Sequence, residues 1–118
     1  MHIISNNDGA LWFGTDNGVS RFDGSTWTTY TTADGLADNY IYSIGVGDIE
    51  ALWFGTTDGV SRFDGSSWTS FSTSDGLANS IVSSIVATED NSMWFGSVGG
   101  ASVYRELHEQ AYLPLVVN

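Results

Sequence analysis

Two histidines, fourteen carboxylates and no cysteine define the chemistry open to this chain of 118 residues. His2 and His108 stand at opposite ends, and neither belongs to a recurring stretch, so no base is paired in sequence with a nucleophile. Without cysteine there is no disulfide and no thiolate metal site, and the redox compartment is not legible from the count. Oxygen-rich stretches occur at 6–9 (NNDG), 15–18 (TDNG), 47–50 (GDIE) and 88–91 (TEDN). None has the spacing of a complete calcium loop that closes on a bidentate carboxylate. They are expected to be turns, with no stoichiometric metal and no cofactor. What remains is hydrogen bonding and stacking. Asp38, Asn39, Tyr40 and Asn79, with Asp16, Asn17 and Asp58 in neighbouring turns, combine acceptors and donors with one aromatic face. Such a set suits a sugar or a peptide, and the same residue types serve equally to shape loops.

Charge narrows the partners. The chain has no lysine, and its three arginines leave a formal charge of -11, which opposes binding to phosphate backbones or anionic membrane surfaces. Apolar residues make up 42% and aromatic residues 14%, enough for an ordered core. No apolar run approaches the roughly 20 residues that span a bilayer, and the first residues lack the basic and apolar regions of a signal peptide. A targeting segment in a longer parent would leave no trace here, so the compartment stays open.

The elements that position these groups are written in a repeat. ALWFGT at 10–15 returns unchanged at 51–56 and as SMWFGS at 92–97, each 41 residues on. Between 10–37 and 51–78, 21 of 28 positions are identical, which marks duplication. Within the second copy, 39–46, 51–56, 59–64 and 67–73 are short runs rich in β-branched and aromatic residues, separated by Gly, Asp, Asn and Ser. Asn-Gly and Asp-Gly pairs at 15–18, 22–25, 56–59 and 63–66 are hairpin turns, because they tolerate positive φ. A four-stranded antiparallel meander of about 40 residues, repeated, is a blade of a β-propeller. Three blades are expected, over 1–33, 34–74 and 75–118. Leu52 and Phe54 should face one neighbouring blade and Trp53 the other, since side chains alternate across a strand. Small Ser43, Gly45, Ser83 and Ser84 suit the crowded strands at the axis.

The string LWFGTxxGVSRFDGSxWTxYTTxDGL resembles the repeat of the two-component regulator propellers, found in sensor regions of bacterial histidine kinases and in other secreted or periplasmic bacterial proteins. The resemblance runs over residues 2 to about 104. It implies a sensor module that perceives a molecule, often an oligosaccharide, outside the cytoplasm and signals through neighbouring domains. No kinase, transmembrane or response-regulator segment occurs within these residues. The third copy departs from the pattern: RFDG becomes VYRE at 103–106, and Glu109 stands where the outer-strand tryptophan should be. Counting from Tyr30 through Phe71 leads to Tyr112, so 109–117 is expected to supply a divergent outer strand, with Pro114 tolerated at the free edge.

In propellers the usual binding face is built from the connections between blades and the loops joining second and third strands, here 34–40 and 75–80 beside the turns at 16–17 and 57–58. Three classes of function follow: a non-catalytic recognition module, a self-assembling fragment with no ligand of its own, and, last, a propeller lyase or hydrolase. Near-identical copies speak against the last, because an asymmetric active site needs blades that differ. Closed propellers have about 4 to 8 blades, so three leave a bare face at each end. Trp12, Phe13, Trp94 and Phe95 are the residues expected there, and a homodimer closing a six-bladed ring is the expected assembly.

Overall fold

Short runs rich in apolar, β-branched and aromatic residues, cut by Asp-Gly and Asn-Gly turns, fold into strands. The computed structural model describes residues 2–5, 9–47, 51–75, 77, 81–88, 92–97, 100–105 and 115–117. Among them there is no α-helix, only short 3-10 turns at Thr32–Asp34 and Thr73–Asp75. Among the described residues no helix is long and apolar enough to cross a membrane.

The first sheet is a meander of β1 (His2–Ser5), β2 (Leu11–Thr15), β3 (Gly18–Phe22) and β4 (Trp27–Tyr30). The second repeats it with β5 (Ile41–Val46), β6 (Leu52–Thr56), β7 (Gly59–Phe63) and β8 (Trp68–Phe71). The third follows with β9 (Val82–Ala87), β10 (Ser92–Ser97), β11 (Gly100–Arg105) and β12 (Leu115–Val117). Every pairing is antiparallel. The three sheets are β-propeller blades stacked face to face, with β1 beside β5 and β5 beside β9.

Packing follows from the parity of the apolar strand. Leu52 and Phe54 face the first blade, where they meet Trp12 and lie with Val19, Leu36 and Phe63 in one core. Trp53, one residue over, faces the third blade and packs with Val60, Phe71, Met93, Phe95 and Tyr104 in another. Blades are held together by aromatic contact: Trp12 lies 5.8 Å from both Phe54 and Phe63, and Trp53 lies 5.4 Å from Phe95 and 4.7 Å from Tyr104. Arg21 and Arg62 sit over the two indoles at 5.7 and 5.8 Å.

The same parity corrects the expected end faces. Trp12 occupies the position of Trp53 and points to the following blade, while Phe95 occupies that of Phe54 and points to the preceding one. Both are buried inside the stack. The outward side chains are Phe13 on the first blade and Trp94 on the third, each half-buried.

The last strand also departs from expectation. Val19 pairs with Tyr30 and Val60 with Phe71, but Ala101 pairs with Val117, five positions beyond Tyr112. The cause is the turn. In the first two blades Asp23 and Asp64 close a tight loop between third and fourth strands, and the third blade lacks that aspartate and glycine. Residues 106–114 separate β11 from β12, so the register slides. Glu109, Tyr112 and Pro114 lie outside the described residues.

Those two turns have a measurable pH signature. Asp23 Oδ1 accepts from the backbone N–H of Ser25 at 3.0 Å and of Thr26 at 2.8 Å, and Asp64 Oδ1 does the same with Ser66 and Ser67 at 3.0 and 2.8 Å. These backbone donors hold both carboxyls below their ordinary value. A depressed carboxylate stabilises the fold fully above about pH 4, and that contribution is lost as pH falls through the lower, folded value. The double variant Asp23→Asn, Asp64→Asn keeps the acceptor and removes the titration. Its thermal midpoint is expected below the parent's at pH 7, with the gap narrowing as pH falls below about 4; a gap constant with pH would refute this.

Candidate functional site

The candidate site forms where the first two blades meet at one end of the stack. The β2–β3 turn comes from Thr15, whose Oγ1 accepts from the N–H of Asn17 at 3.0 Å and donates to the carbonyl of Gly18 at 2.9 Å. Gly18 takes φ of 103°, which a side chain would strain, and its N–H donates to the Asn39 carbonyl at 2.6 Å. The turn is thereby tied to the connection between blades. Asp16 and Asn17 stand exposed at its tip.

The connection is pinned on both sides. Thr31 caps the 3-10 turn: its Oγ1 accepts from Ala33 at 3.3 Å, and Asp34 Oδ2 accepts from the Thr31 N–H at 2.9 Å. Asn39 Oδ1 accepts from the Thr32 N–H at 3.0 Å. Further on, Ala37 N–H donates to Ser61 Oγ at 2.9 Å and Ser70 Oγ donates to the Gly35 carbonyl at 2.9 Å, which fastens the connection to the second blade. Asp38 Oδ1 accepts from Asn39 N–H at 2.6 Å, and Oδ2 accepts from the Thr57 hydroxyl. The Thr57 hydrogen bond, then the backbone donors, hold the Asp38 carboxyl below its ordinary value. Asp38 and Asn39 therefore spend hydrogen-bonding capacity on the loop itself. Asp58 is exposed in the β6–β7 turn, where its N–H donates to Thr56 Oγ1 at 3.0 Å. Asn79 lies outside the described residues.

The loop aims Tyr40 at a partner that sequence reasoning missed. Ile41 pairs with Thr56 and Ser43 with Gly55, so Tyr42 is the extra residue of a β-bulge. A bulge re-aims the inserted side chain. Tyr42 leaves the crowded axial strand for solvent and meets Tyr40 with ring centroids 4.9 Å apart. The two rings are 46% and 40% exposed. With Thr15, Asp16 and Ile41 they line an open cleft of about 390 Å³. Tyr42 had a partial signal: it is the one aromatic residue in a strand where Ser43 and Gly45 suit close packing, and it stands two positions from Tyr40.

The cleft is also where the copies differ. Asp16 and Asn17 become Thr57 and Asp58 in the next blade, and Tyr40 and Tyr42 become Ile81 and Ser83. The bulge itself recurs at Ser83, because Ser84 pairs with Gly96 and Val82 with Ser97. Backbone is repeated; the side chains it presents are not. Among the described residues no group of three or more His, Cys, Asp or Glu is arranged to hold a metal ion. The arrangement offers two aromatic faces beside a carboxylate and a hydroxyl, which is equipment for stacking and hydrogen bonding.

No family model matches the sequence, and no curated protein matches it. Solved structures do. One, described as the extracellular domain of the hybrid two component system BT3049 from B. thetaiotaomicron, has a TM-score of 0.78 at 20% identity, covering 95% of this chain and 16% of that one. Two structures of the extracellular domain of BT4673 from the same organism have TM-scores of 0.52 and 0.50, each at 20% identity. They cover 99% and 95% of this chain and 21% of theirs. The chain thus spans a small part of the length of these neighbours. At such identity the likeness is one of fold: three consecutive β-propeller blades similar to part of extracellular domains of two-component systems.

Proposed function

We propose that the chain is a non-catalytic recognition module of the sensor type, acting in the periplasm or outside the cell, with the cleft between its first two blades as the ligand site. The observation that carries this reading is the pair of exposed tyrosines, Tyr40 and Tyr42, held at 4.9 Å beside Asp16. Aromatic faces stack on the apolar faces of sugar rings, and the exposed Asp16 carboxylate would accept from sugar hydroxyls. With a formal charge of -11, the ligand class favoured is a neutral oligosaccharide over an anionic one. The extracellular origin of the structural neighbours supports the same reading.

A panel of neutral and acidic oligosaccharides, screened by array and followed by calorimetric titration, tests it. Saturable binding of a neutral glycan is expected. Tyr42→Ala should abolish it with the thermal midpoint almost unchanged, because Tyr42 is 40% exposed and belongs to neither buried core. Asp38→Ala should instead lower the midpoint, since it breaks the link to Thr57. Binding that survives Tyr42→Ala, or silence across the panel, would refute the site.

A further inference from the structure

Both tyrosines of the cleft take their place from one corner of the second blade. Thr56 ends β6, and its pairing with Ile41, next to that of Gly55 with Ser43, makes the bulge that turns Tyr42 outward. Thr57 follows at once, and its hydroxyl donates to Asp38 Oδ2. The other oxygen of the same carboxylate accepts from the N–H of Asn39 at 2.6 Å and lies 3.5 Å from the N–H of Tyr40. Tyr40 thus follows closely on a point fastened to the second blade. From the other side the first blade holds the residue between them, where Gly18 N–H donates to the Asn39 carbonyl at 2.6 Å. The Tyr40 ring is exposed and belongs to neither buried core, so the backbone of this loop, not packing, decides where it stands.

The repeat shows that this arrangement is not part of every blade. The hydroxyl that closes each turn between second and third strands recurs in all three, with Thr15, Thr56 and Ser97 donating to glycine carbonyls at 2.9, 2.9 and 3.0 Å. Asp38 and Thr57 do not recur. The sequence has Asn79 and Val98 at the corresponding positions, and valine has no proton to donate. Tyr40 and Tyr42 give way at the same step, to Ile81 and Ser83. Carboxylate, hydroxyl and both rings stand together at one junction and are replaced together at the next.

We propose that Thr57 and Asp38 are a positioning pair for the cleft: through them the second blade sets where the Tyr40 ring stands against Tyr42. The proposal rests on the reading of the cleft as the ligand site, and it adds two residues that need touch no ligand. The spacing of the rings then follows the contact between the blades, because one carboxylate joins the second blade's turn to the backbone that carries Tyr40. Hydrogen bonds to an ionised acceptor are stronger than neutral ones, which suits this one to holding a loop that packing leaves exposed.

Nuclear magnetic resonance of the ligand-free chain at neutral pH tests the pair, since rings with centroids 4.9 Å apart give a nuclear Overhauser effect between Tyr40 and Tyr42. Thr57→Val removes the donor at nearly constant volume, and valine already stands at this place in the third copy. The ring-to-ring signal is expected in the parent and in Thr57→Ser and lost in Thr57→Val, while the signal between Trp12 and Phe54 in the core persists in all three. Thr57→Ala carries the same test if the valine variant fails to fold. Titration with the neutral oligosaccharides of the panel should give an affinity about tenfold lower for Thr57→Val and restored in Thr57→Ser. A Tyr40–Tyr42 signal or a glycan affinity unchanged in Thr57→Val would overturn the pair. A parent that binds no glycan, with the ring signal still lost in Thr57→Val, would refute the ligand site and uphold the positioning of the rings.

Discussion

Replacing Trp53 by alanine is expected to destabilise the fold by about 3 to 5 kcal/mol, the range for deleting a large buried aromatic. Trp53 is buried and central to the second joint. Its indole stacks on Phe71 at 6.0 Å within its own blade, meets Phe95 at 5.4 Å and Tyr104 at 4.7 Å across the joint, and carries Arg62 at 5.8 Å. No neighbour can close the gap, because each ring is fixed in a strand. Domains of this size have a total stability of about 5 to 15 kcal/mol, so the loss is about a fifth or more of the whole. Urea denaturation followed by circular dichroism checks it. A loss below about 1 kcal/mol would mean that the joint between second and third blades contributes little.

Gly55→Ala should follow closely in effect, at about 3 kcal/mol, the upper part of the range for overpacking. A methyl group at Gly55 would run into the backbone carbonyl oxygen of Val82 and the Ser43 hydroxyl. Backbone cannot step aside as a flexible side chain can. The Ser43 hydroxyl also donates to that carbonyl at 3.3 Å, so the clash disturbs a buried hydrogen bond. The glycine after the first and the second Trp-Phe pair is thus the place where the next blade's axial strand presses against the stack; at Gly14 the atom met is Ile41 Cγ2, at 2.6 Å. Gly65→Ala supplies the comparison. That position has φ of 106° and open space around it, so only the backbone conformation resists, at about 1 to 2 kcal/mol. Equal losses at the two positions, in the same denaturation experiment, would show that close approach at Gly55 is not limiting.

How much was legible in the sequence depended on whether the physics was local. The strands were, because apolar alternation and Asp-Gly turns act within a few residues, and the division of Leu52 and Phe54 from Trp53 followed from alternation alone. That rule, carried through to the terminal blades, also assigns Phe13 and Trp94 to the outer faces and Trp12 and Phe95 to the interior. The register of β12 was not legible by counting, since loss of the aspartate and glycine that tighten the earlier turns removes the constraint that keeps the count. Tyr42 was hidden by a bulge, a backbone irregularity that simple alternation does not encode. Asp38 reads as ligand chemistry until Thr57, nineteen positions away, is seen to donate to it.

Trp12 and Trp53 perform one task at two places, each covering the Phe-centred face of the blade that follows. A whole copy could therefore be excised or inserted in the gene without creating a new kind of surface. Removal of 41 residues would bring Trp12 against Phe95 and Tyr104, the partners that Trp53 now has. Unequal recombination between the near-identical stretches at 10–37 and 51–78 supplies such changes in steps of one unit. A gain or loss of whole blades would therefore reuse the same Trp-on-Phe contact at each joint, and the cleft, carried by Asp16, Tyr40 and Tyr42, marks one junction as different from its copies.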